Sequence, residues 1–365
     1  MATKTIRTNL TDRLGLAAPL IQAPMAGGAT TPELVAAVSN AGALGSLGGA
    51  YLSPAELENN IRQIKRLTTR PFAVNLFAPC PDPILTPAQI EAAVVATKTY
   101  REELGLTIPR LEAPFSQNFE DQFSVILAER AAVFSFTFGI PDRKFLAECR
   151  NRNILTLGTA TTLDEAEALE RAGVDAVVAQ GAEAGAQRGS FSPEKEDLFH
   201  GLATLVPILA GKLRTPVIAA GGIMNGNGIA GALALGAEAA QLGTAFLTCD
   251  ESGINQTYRK ALLDPSRRRT RLTRAFTGRW ARGLENRFIV EMASRESGIL
   301  PFPAQNTFTQ DIRRTAAERG LPEYLSLWAG QGVGLIRPMK AEALVETLLE
   351  ETVEAVDRLL PAPTT

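Results

Sequence analysis

The chain has 365 residues, of which 45% are hydrophobic and 21% charged, and its formal net charge is −2. This length allows two domains or one large α/β barrel with an appendage, and the near-zero charge argues against general nucleic-acid binding. Its only histidine, His200, excludes a metal centre built on two or three histidines. Its cysteines, Cys80, Cys149 and Cys249, form no C-x-x-C pair, which argues against a zinc site and a disulfide framework. We therefore expect an organic cofactor, or chemistry carried by carboxylates, amides and backbone groups.

The sequence carries no signal for export or for a membrane span. The first residues lack the apolar run of a secretory signal, and charges, glycines or prolines interrupt every later apolar run. A membrane span needs ~20 apolar residues. We expect a cytoplasmic protein with no membrane partner.

Short apolar runs alternate with amphipathic segments over the first 250 residues. This alternation is typical of successive βα units on a parallel sheet. Thr31, Pro32 and Gly42 mark the start and end of one helix, and Ser53-Pro54 begins the next. The apolar runs predict eight strands, at 19–25, 43–49, 71–77, 131–139, 153–160, 174–181, 216–222 and 237–244. Eight parallel strands favour a (β/α)₈ TIM barrel over an open doubly wound sheet.

The chain beyond the last predicted strand has a different pattern. The predicted barrel covers residues 1–249 and contains a long insertion at 78–118, with a polar helix from 88 to 104. Residues 250–335 are rich in Arg and Gly and show helical patches without alternating strands, so they predict a smaller, mainly helical cap domain. Within residues 336–365, an amphipathic helix is expected to pack back on the barrel.

Glycines follow the last two predicted strands, in AAGGI (219–223) and QLGT (241–244). In α/β barrels a phosphate commonly binds between the loops after strands seven and eight, where backbone N–H groups face the anion. Gly221, Gly222 and Gly243 would allow that close approach, although such glycines also serve tight βα turns alone. A G-x-G-x-x-G fingerprint after the first strand is absent, which disfavours a Rossmann dinucleotide site.

Several amides and a methionine lie where predicted strands end. Gln180 and Gly185 could touch a flavin or a phosphate, and Gln187 could donate to a substrate oxyanion, yet turn requirements alone could also explain this Gly-rich loop. Asn75 is an amide in an apolar run and is either a satisfied core residue or a ligand contact. Met25 either fills a gap in the core or contacts a flavin.

Eight motifs occur along the chain, namely IQAPMAGG (21–28), VNLFAP (74–79), SFTFGIP (135–141), QGAEAGAQRG (180–189), AAGGI (219–223), QLGTAF (241–246), FTGRWARG (276–283) and LWAGQG (327–332). In this order they resemble the nitronate monooxygenases, formerly called 2-nitropropane dioxygenases. The resemblance extends from Pro19 to Gly334. It implies a TIM barrel that holds FMN non-covalently and without metal, with a smaller helical domain over the active site.

The resemblance also implies which residues contact FMN. Residues of the first, second and fourth motifs would contact the flavin, and the glycine-rich strand ends would bind the phosphate and the ribityl region. A glutamine at the end of the cap would reach the same site. The full implied set is Met25, Ala26, Gly27, Asn75, Gln180, Gly185, Gly221, Gly222, Gln241, Leu242, Gly243, Thr244 and Gln331.

Both histidines that the resemblance implies for the active site are replaced. The family loop reads EAGGHRG, whereas this chain has Gln187 at the position of the histidine usually assigned as base. The family strand ends SFHFG, whereas this chain has Thr137. Neither Gln nor Thr takes up a proton near neutral pH, so we expect both side chains to orient substrate. His200 lies 13 residues beyond Gln187, on the following predicted helix, and is not expected to replace the base.

The expected activity is FMN-dependent oxidation of preformed alkyl nitronates with O₂ to a carbonyl compound and nitrite. One alternative is an NAD(P)H-dependent FMN reductase acting on quinones or enoyl thioesters, in which the Arg-rich stretch 267–287 would bind a phosphate. Such a charge run is also typical of a solvated face. A second alternative is a flavin-binding protein without turnover. The oligomeric state stays open.

Overall fold

The computed structural model of the chain describes residues 6–192 and 198–359. The strands are β1 (Leu20–Gln22), β2 (Gly45–Gly48), β3 (Phe72–Phe77), β4 (Val133–Thr137), β5 (Leu155–Ala160), β6 (Ala176–Gln180), β7 (Ala186–Gln187), β8 (Val217–Ala220), β9 (Ala239–Leu242), β10 (Thr270–Thr273) and β11 (Ala281–Leu284). Eight of them form a sheet in the order β1-β9-β8-β6-β5-β4-β3-β2. Every pair in this sheet is parallel. Each of the eight lies within one of the predicted strands.

The two edges of the parallel sheet meet, so the sheet closes into a barrel. Ile21 of β1 forms a parallel bridge to Leu44, which directly precedes β2. The amide of Gln22 donates to the Leu44 carbonyl at 2.9 Å, and the Leu44 amide donates to the Leu20 carbonyl at 3.0 Å. Closure removes the exposed strand edges and confirms the predicted TIM barrel.

The helices follow the predicted start signals. Thr31 accepts a hydrogen bond from the Leu34 amide at 3.0 Å, and Gly42 has the left-handed φ of +89° that ends this helix. Ser53 and Glu56 form a capping box at the next helix. The helices are α1 (Asn9–Leu14), α2 (Pro32–Asn40), α3 (Pro54–Leu67), α4 (Pro87–Leu104), α5 (Phe119–Ala128), α6 (Arg143–Asn151), α7 (Leu163–Ala172), α8 (Leu202–Lys212), α9 (Gly226–Ala234), α10 (Gln256–Leu263), α11 (Arg287–Met292), α12 (Ala304–Phe308), α13 (Gln310–Arg319) and α14 (Ala341–Leu359).

The N-terminal end of the barrel is filled by apolar side chains. Leu10 and Leu14 of α1 belong to one buried cluster with Val133, Ala176 and Ala239, which begin or nearly begin their strands. A larger cluster packs the outer faces of the strands against the surrounding helices. Since α1 closes the N-terminal end, the opposite end, where the strands finish, is left for the loops that carry polar groups.

A second hydrophobic core lies outside the barrel. Tyr100 and Leu104 of α4 pack there with Phe276, Phe288 and Leu327. The insertion therefore contributes a helix to the same core as the residues after 250. The division into residues 1–249, 250–335 and 336–365 stays a prediction. Helix α4 lies within residues 1–249 of the sequence but packs in the second core, with residues of 250–335.

The expectation that residues 250–335 contain no strands was wrong. β10 and β11 pair antiparallel there, and β11 also pairs with β7 from the loop after β6. The strand sequences TRLT and ARGL each contain an arginine, and the one in β11, Arg282, is only 7% exposed. Because Arg counts as a polar residue, these short segments do not show the alternation of apolar and polar residues that is typical of a strand.

The last helix packs on the outside of the barrel. α14 contacts α9 and α2, and Arg337 forms an ion pair with Glu351 at 2.5 Å. The Glu351 carboxylate also accepts from the Gly226 amide at 2.9 Å, which joins α14 to the start of α9. Across residues 6–192 and 198–359, no helix combines the length and apolar character that a membrane span requires.

Candidate active site

The glycines after β8 adopt conformations that other residues avoid. Gly221 has φ +131° and Gly222 has φ +68°. A Cβ on Gly222 would lie 3.0 Å from the Glu183 Cβ, and one on Gly221 would lie 3.2 Å from the Ala184 amide nitrogen. Turn geometry and close packing against the loop after β6 thus both require glycine here.

Backbone amides collect where β8 and β9 end. Ala220, the last residue of β8, pairs with Gln241 of the neighbouring strand β9, so Gly222 and Gly243 follow adjacent strand ends. Within the described ranges, the amides of Gly222, Gly243 and Thr244 donate to no protein acceptor. Unpaired amides at adjacent loop starts suit an anion with several acceptor oxygens, such as a phosphate.

The segment 328–332 docks directly on these loops. The Gly330 amide donates to the Thr244 hydroxyl, and the Gln331 amide donates to the Glu183 carbonyl, both at 2.9 Å. A Cβ on Gly185 would lie 2.6 Å from the Gly330 nitrogen, and one on Gly332 would lie 2.5 Å from the Gly222 carbonyl oxygen. Only residues without side chains allow these segments to meet. The Gln331 side chain is exposed.

The residues after β1 lie beside the same amides. Met25 Sδ lies 3.8 Å from where a Cβ on Gly243 would be, and Gly27 has φ +92°. Ala26 approaches β2 so closely that a Cβ on Gly48 would lie 2.4 Å from its nitrogen. This loop therefore forms one wall at the end of β9.

The remaining predicted cofactor residues differ in the burial of their side chains and in the hydrogen bonds that these side chains already make within the protein. The Leu242 side chain is 1% exposed and packs in the core, so only its backbone faces the barrel end, next to the partly buried Gln241. Asn75 is 4% exposed, and its amide donates to the Ser135 hydroxyl at 2.9 Å. Gln180 donates to the Gln187 carbonyl at 3.1 Å and accepts from the Gly189 amide at 2.7 Å. Gln180 thus holds the shape of its own loop.

The side-chain amide of Gln187 has an N–H donor for which the described residues provide no acceptor. Its backbone is fixed in β7 opposite Ala281. Its side-chain Oε1 accepts from the Tyr51 hydroxyl at 3.4 Å, while Nε2 is buried and has no hydrogen-bond partner among residues 6–192 and 198–359. A buried, unpaired amide donor is costly unless a ligand accepts from it.

Thr137 lies on the other side of the same loop. It ends β4, and its hydroxyl is 3.4 Å from the Thr159 hydroxyl. A Cβ on Gly189 would lie 3.3 Å from Thr137 Cγ2 and 2.7 Å from Thr159 Cγ2. Thr137 and Gln187 therefore both border the loop after β6.

An aromatic wall and a buried cation were missed from the sequence. Tyr51 packs edge-on against Phe77 with ring centroids 5.4 Å apart, and Phe77 contacts Phe138 at 4.5 Å. The Arg279 guanidinium stacks 4.0 Å above the Phe138 ring and donates to the Ser190 carbonyl at 2.8 Å. Its Nε is buried without a partner. Burial lowers the pKa of Arg279 to about 10, so it remains a cation at neutral pH.

The sequence predicts His200 on the helix that follows, and this was wrong: His200 lies just before α8. Gly201 is the helix N-cap, so the imidazole is on the approach to the helix. The His200 carbonyl accepts from the Ala182 amide at 2.8 Å, and the buried Nδ1 has no partner in the part of the chain that the structure describes. Residues 193–197, between Gln187 and His200, lie outside the described ranges.

The family model described as nitronate monooxygenase matches residues 7–351. A probable nitronate monooxygenase from Staphylococcus saprophyticus subsp. saprophyticus is 41% identical over 355 residues, which are 97% of this chain and 99% of that protein. The chain belongs to the nitronate monooxygenase family. It is accordingly a flavin-dependent oxidoreductase.

Solved structures agree with this membership. Nitroalkane oxidase from Streptomyces ansochromogenes has a TM-score of 0.91 and 41% identity, covering 97% of this chain and all (100%) of that one. FabK from Thermotoga maritima has a TM-score of 0.75 and 30% identity, covering 97% and 99% of the two chains. The first likeness extends through the barrel and the elements packed over it.

The Arg-rich stretch of this family member is engaged within the protein. Arg267 pairs with Glu323 at 2.6 Å, and Arg287 pairs with Glu103 at 2.7 Å. Arg282 donates to the Ala182 carbonyl at 3.0 Å. These arginines mainly hold the hairpin and α11 in place, so the stretch gives no support to the NAD(P)H-dependent reductase, which the comparisons do not favour either.

Proposed function

We propose that this protein is an FMN-dependent nitronate monooxygenase that takes preformed alkyl nitronates and turns over neutral nitroalkanes poorly. The observation that carries the proposal is the buried, unpartnered Nε2 of Gln187, at the position where the family loop has a histidine. An amide N–H can donate to a nitronate oxygen, but an amide cannot remove a proton from carbon.

Among the described residues, the hydroxyl groups of Tyr51 and Thr137 border the loop that carries this donor, and neither is a base at neutral pH. Burial raises the pKa of Tyr51 to about 12, against the opposing effect of Arg313 and Arg279, so the phenol stays protonated at neutral pH. Thr137 is an alcohol. A nitronate is already an anion, and Arg279, a buried cation beside this pocket, favours an anionic substrate over its neutral conjugate acid.

The cradle at the ends of β8 and β9 fits the phosphate of FMN. The amides of Gly222, Gly243 and Thr244 are unpaired in the described chain, and the glycines leave room for a close approach. When bound, the flavin would accept electrons from the nitronate and react with O₂. The residues that would hold it are Met25, Ala26, Gly27, Asn75, Gln180, Gly185, Gly221, Gly222, Gln241, Leu242, Gly243, Thr244 and Gln331.

Two measurements test this function. The cofactor released by heat from the purified protein is expected to be FMN by chromatography, and ethylnitronate in air is expected to yield acetaldehyde and nitrite. Release of FAD, or of no flavin, would contradict the cofactor assignment. Retention of flavin with no nitrite formed would instead favour a flavin-binding protein without turnover.

A further inference from the structure

Tyr51 is presented by a rigid turn directly after β2. Gln122 is 3% exposed, and its side-chain amide donates to the carbonyls of Gly49, Ala50 and Leu52, at 3.2, 3.4 and 2.7 Å. All three acceptors flank Tyr51 in sequence. The Leu52 amide also donates to the Gly49 carbonyl at 2.9 Å, which closes the turn. Hydrogen bonds thus hold the backbone before and after Tyr51, which fixes the position from which its side chain extends.

One edge-to-face ring contact orients Tyr51, the one with Phe77. The plane of the Tyr51 ring is 86° from that of Phe77, an edge-to-face contact that the Phe77–Phe138 pair extends. This contact directs the hydroxyl towards Gln187, whose Oε1 lies 3.4 Å from it. Since the Gln187 backbone is fixed by β7 pairing and by Gln180, only the rotation of its side chain remains to be set.

The hydrogen bond runs from Tyr51 to Gln187. The Tyr51 hydroxyl donates to Oε1 at 3.4 Å, and Nε2 of the same amide finds no partner among the described residues. Arg279 and Arg313 favour negative charge on the Tyr51 oxygen, which adds positive charge to this side of the site.

We propose that Tyr51 is a positioning residue: its hydroxyl holds Oε1 of Gln187, so that the Gln187 Nε2 faces the anionic substrate. The inference rests on the proposed function, in which Gln187 is the donor to the nitronate. It adds a reason why an amide can serve there: the side-chain amide has two orientations related by a half turn, and the one that turns its oxygen towards the anion is repulsive. Tyr51 removes that second orientation.

The test is a double-mutant cycle on the flavin-loaded protein. Tyr51→Phe keeps the ring and its contact with Phe77 but removes the hydroxyl, and it is made both alone and in a Gln187→Ala background. Two quantities are measured: the KM and kcat for ethylnitronate, and the Kd of nitrate, followed anaerobically by the change in flavin absorbance. Nitrate is a planar oxyanion that cannot reduce a flavin. Tyr324→Phe is the matched control, because it removes a tyrosine hydroxyl bonded to Arg287 and Glu103, away from Gln187.

We expect Tyr51→Phe to raise the nitrate Kd and the ethylnitronate KM about tenfold with a smaller change in kcat, and to have almost no effect once Gln187 is Ala. Tyr324→Phe leaves both binding constants unchanged. Equal effects of Tyr51→Phe in the two backgrounds, or an effect no larger than that of Tyr324→Phe, would overturn the proposal.

A second variant covers the case in which Tyr51→Phe does not fold. Gln187→Glu keeps an oxygen for the Tyr51 hydroxyl and removes the donor, so nitrate binding is expected to be lost; unchanged nitrate binding would contradict the proposal. The wild-type protein could also form no nitrite from ethylnitronate while the nitrate Kd values still show coupling between Tyr51 and Gln187. That result would refute the proposed function and support the role of Tyr51.

Discussion

At the residue scale, the chemistry depends on what replaces the family histidine. Gln187 keeps a donor and loses proton uptake. The sequence alone identified Gln187 and Thr137, because the flanking motif residues fix their positions. It did not identify Tyr51 or Arg279, since a single Tyr after a strand and one Arg in an Arg-rich stretch have no periodic signature. Their role follows only from contacts between distant segments.

Restoring the histidine is expected to restore base catalysis. In Gln187→His, an imidazole can accept the α-proton of a neutral nitroalkane, which contributes roughly 10²-fold or more in rate. Turnover of neutral nitroethane should rise with pH through about 6.5, the ordinary histidine pKa, because only the neutral imidazole is a base. Steady-state oxygen uptake from pH 5.5 to 8 measures this. Gln187→Ala is the control and should show no such rise; a flat profile for Gln187→His would argue against the role of this position.

Ala186 provides a stability prediction in the same loop. It has φ +61°, a conformation that costs an L-residue ~1–2 kcal/mol, and the family loop has glycine there. Ala186→Gly should raise the free energy of unfolding by up to about 1 kcal/mol, since the larger unfolded-state entropy of glycine offsets part of the gain. Chemical denaturation measures it. The control Ala343→Gly, on the exposed face of α14, should lower stability by about 1 kcal/mol; equal losses in both variants would contradict the strain at Ala186.

At the element scale, apolar strands were predictable and polar ones were not. The barrel strands are short apolar runs with glycine or proline at their ends, so composition identifies them. The hairpin of β10 and β11 was missed because each strand has four residues and carries an arginine, and the one in β11, Arg282, is buried where an apolar residue would be expected. The docking of segment 328–332 on the loops after β6 and β8 also has no local signature, because it depends on glycines at three distant places.

That docking gives a prediction about flavin retention. Gly332→Ala would bring a Cβ to 2.5 Å from the Gly222 carbonyl oxygen and force the phosphate cradle to shift. We expect the flavin Kd to rise about tenfold or more, measured by fluorescence after dilution. Gly334→Ala is the matched control, since its Cβ would meet only the Arg268 Cδ at 4.0 Å. Similar flavin affinity in the two variants would contradict the assembly of the site across these segments.

The contact between α4 and α11 predicts a response to acid. Hydrogen bonds from Arg287 and Tyr324 lower the pKa of Glu103 to about 2. A carboxylate with a lowered folded-state pKa stabilises the protein above its ordinary pKa of 4.5, and this stability is lost as pH falls towards 2. Glu103→Gln should therefore lower the Tm at pH 7, with a difference from wild type that shrinks between pH 5 and 3. Glu102→Gln, next to it on the exposed side, is the control and should change the Tm little at any pH; a pH-independent difference for Glu103→Gln would argue against this ion pair.

At the scale of the whole molecule, the proposed flavin cradle lies where the barrel strands end, next to the second core. The C-terminal ends of β8 and β9 supply amides, and segment 328–332 reaches them from the second core. The insertion helix α4 packs in that same core, which the sequence could not predict because its partners are far away in the chain. The proposed substrate end combines Tyr51 after β2 and Gln187 in β7 with Arg279, which lies between β10 and β11.

The central claim is that this site accepts a nitronate anion and lacks a base for its neutral conjugate acid. The most direct measurement is the initial rate of oxygen uptake by the wild-type, flavin-loaded protein with equal concentrations of preformed ethylnitronate and of neutral nitroethane at pH 7. The account predicts rapid uptake with ethylnitronate and a rate with nitroethane that is limited by its slow spontaneous ionisation. Turnover of nitroethane as fast as or faster than that of ethylnitronate would contradict it.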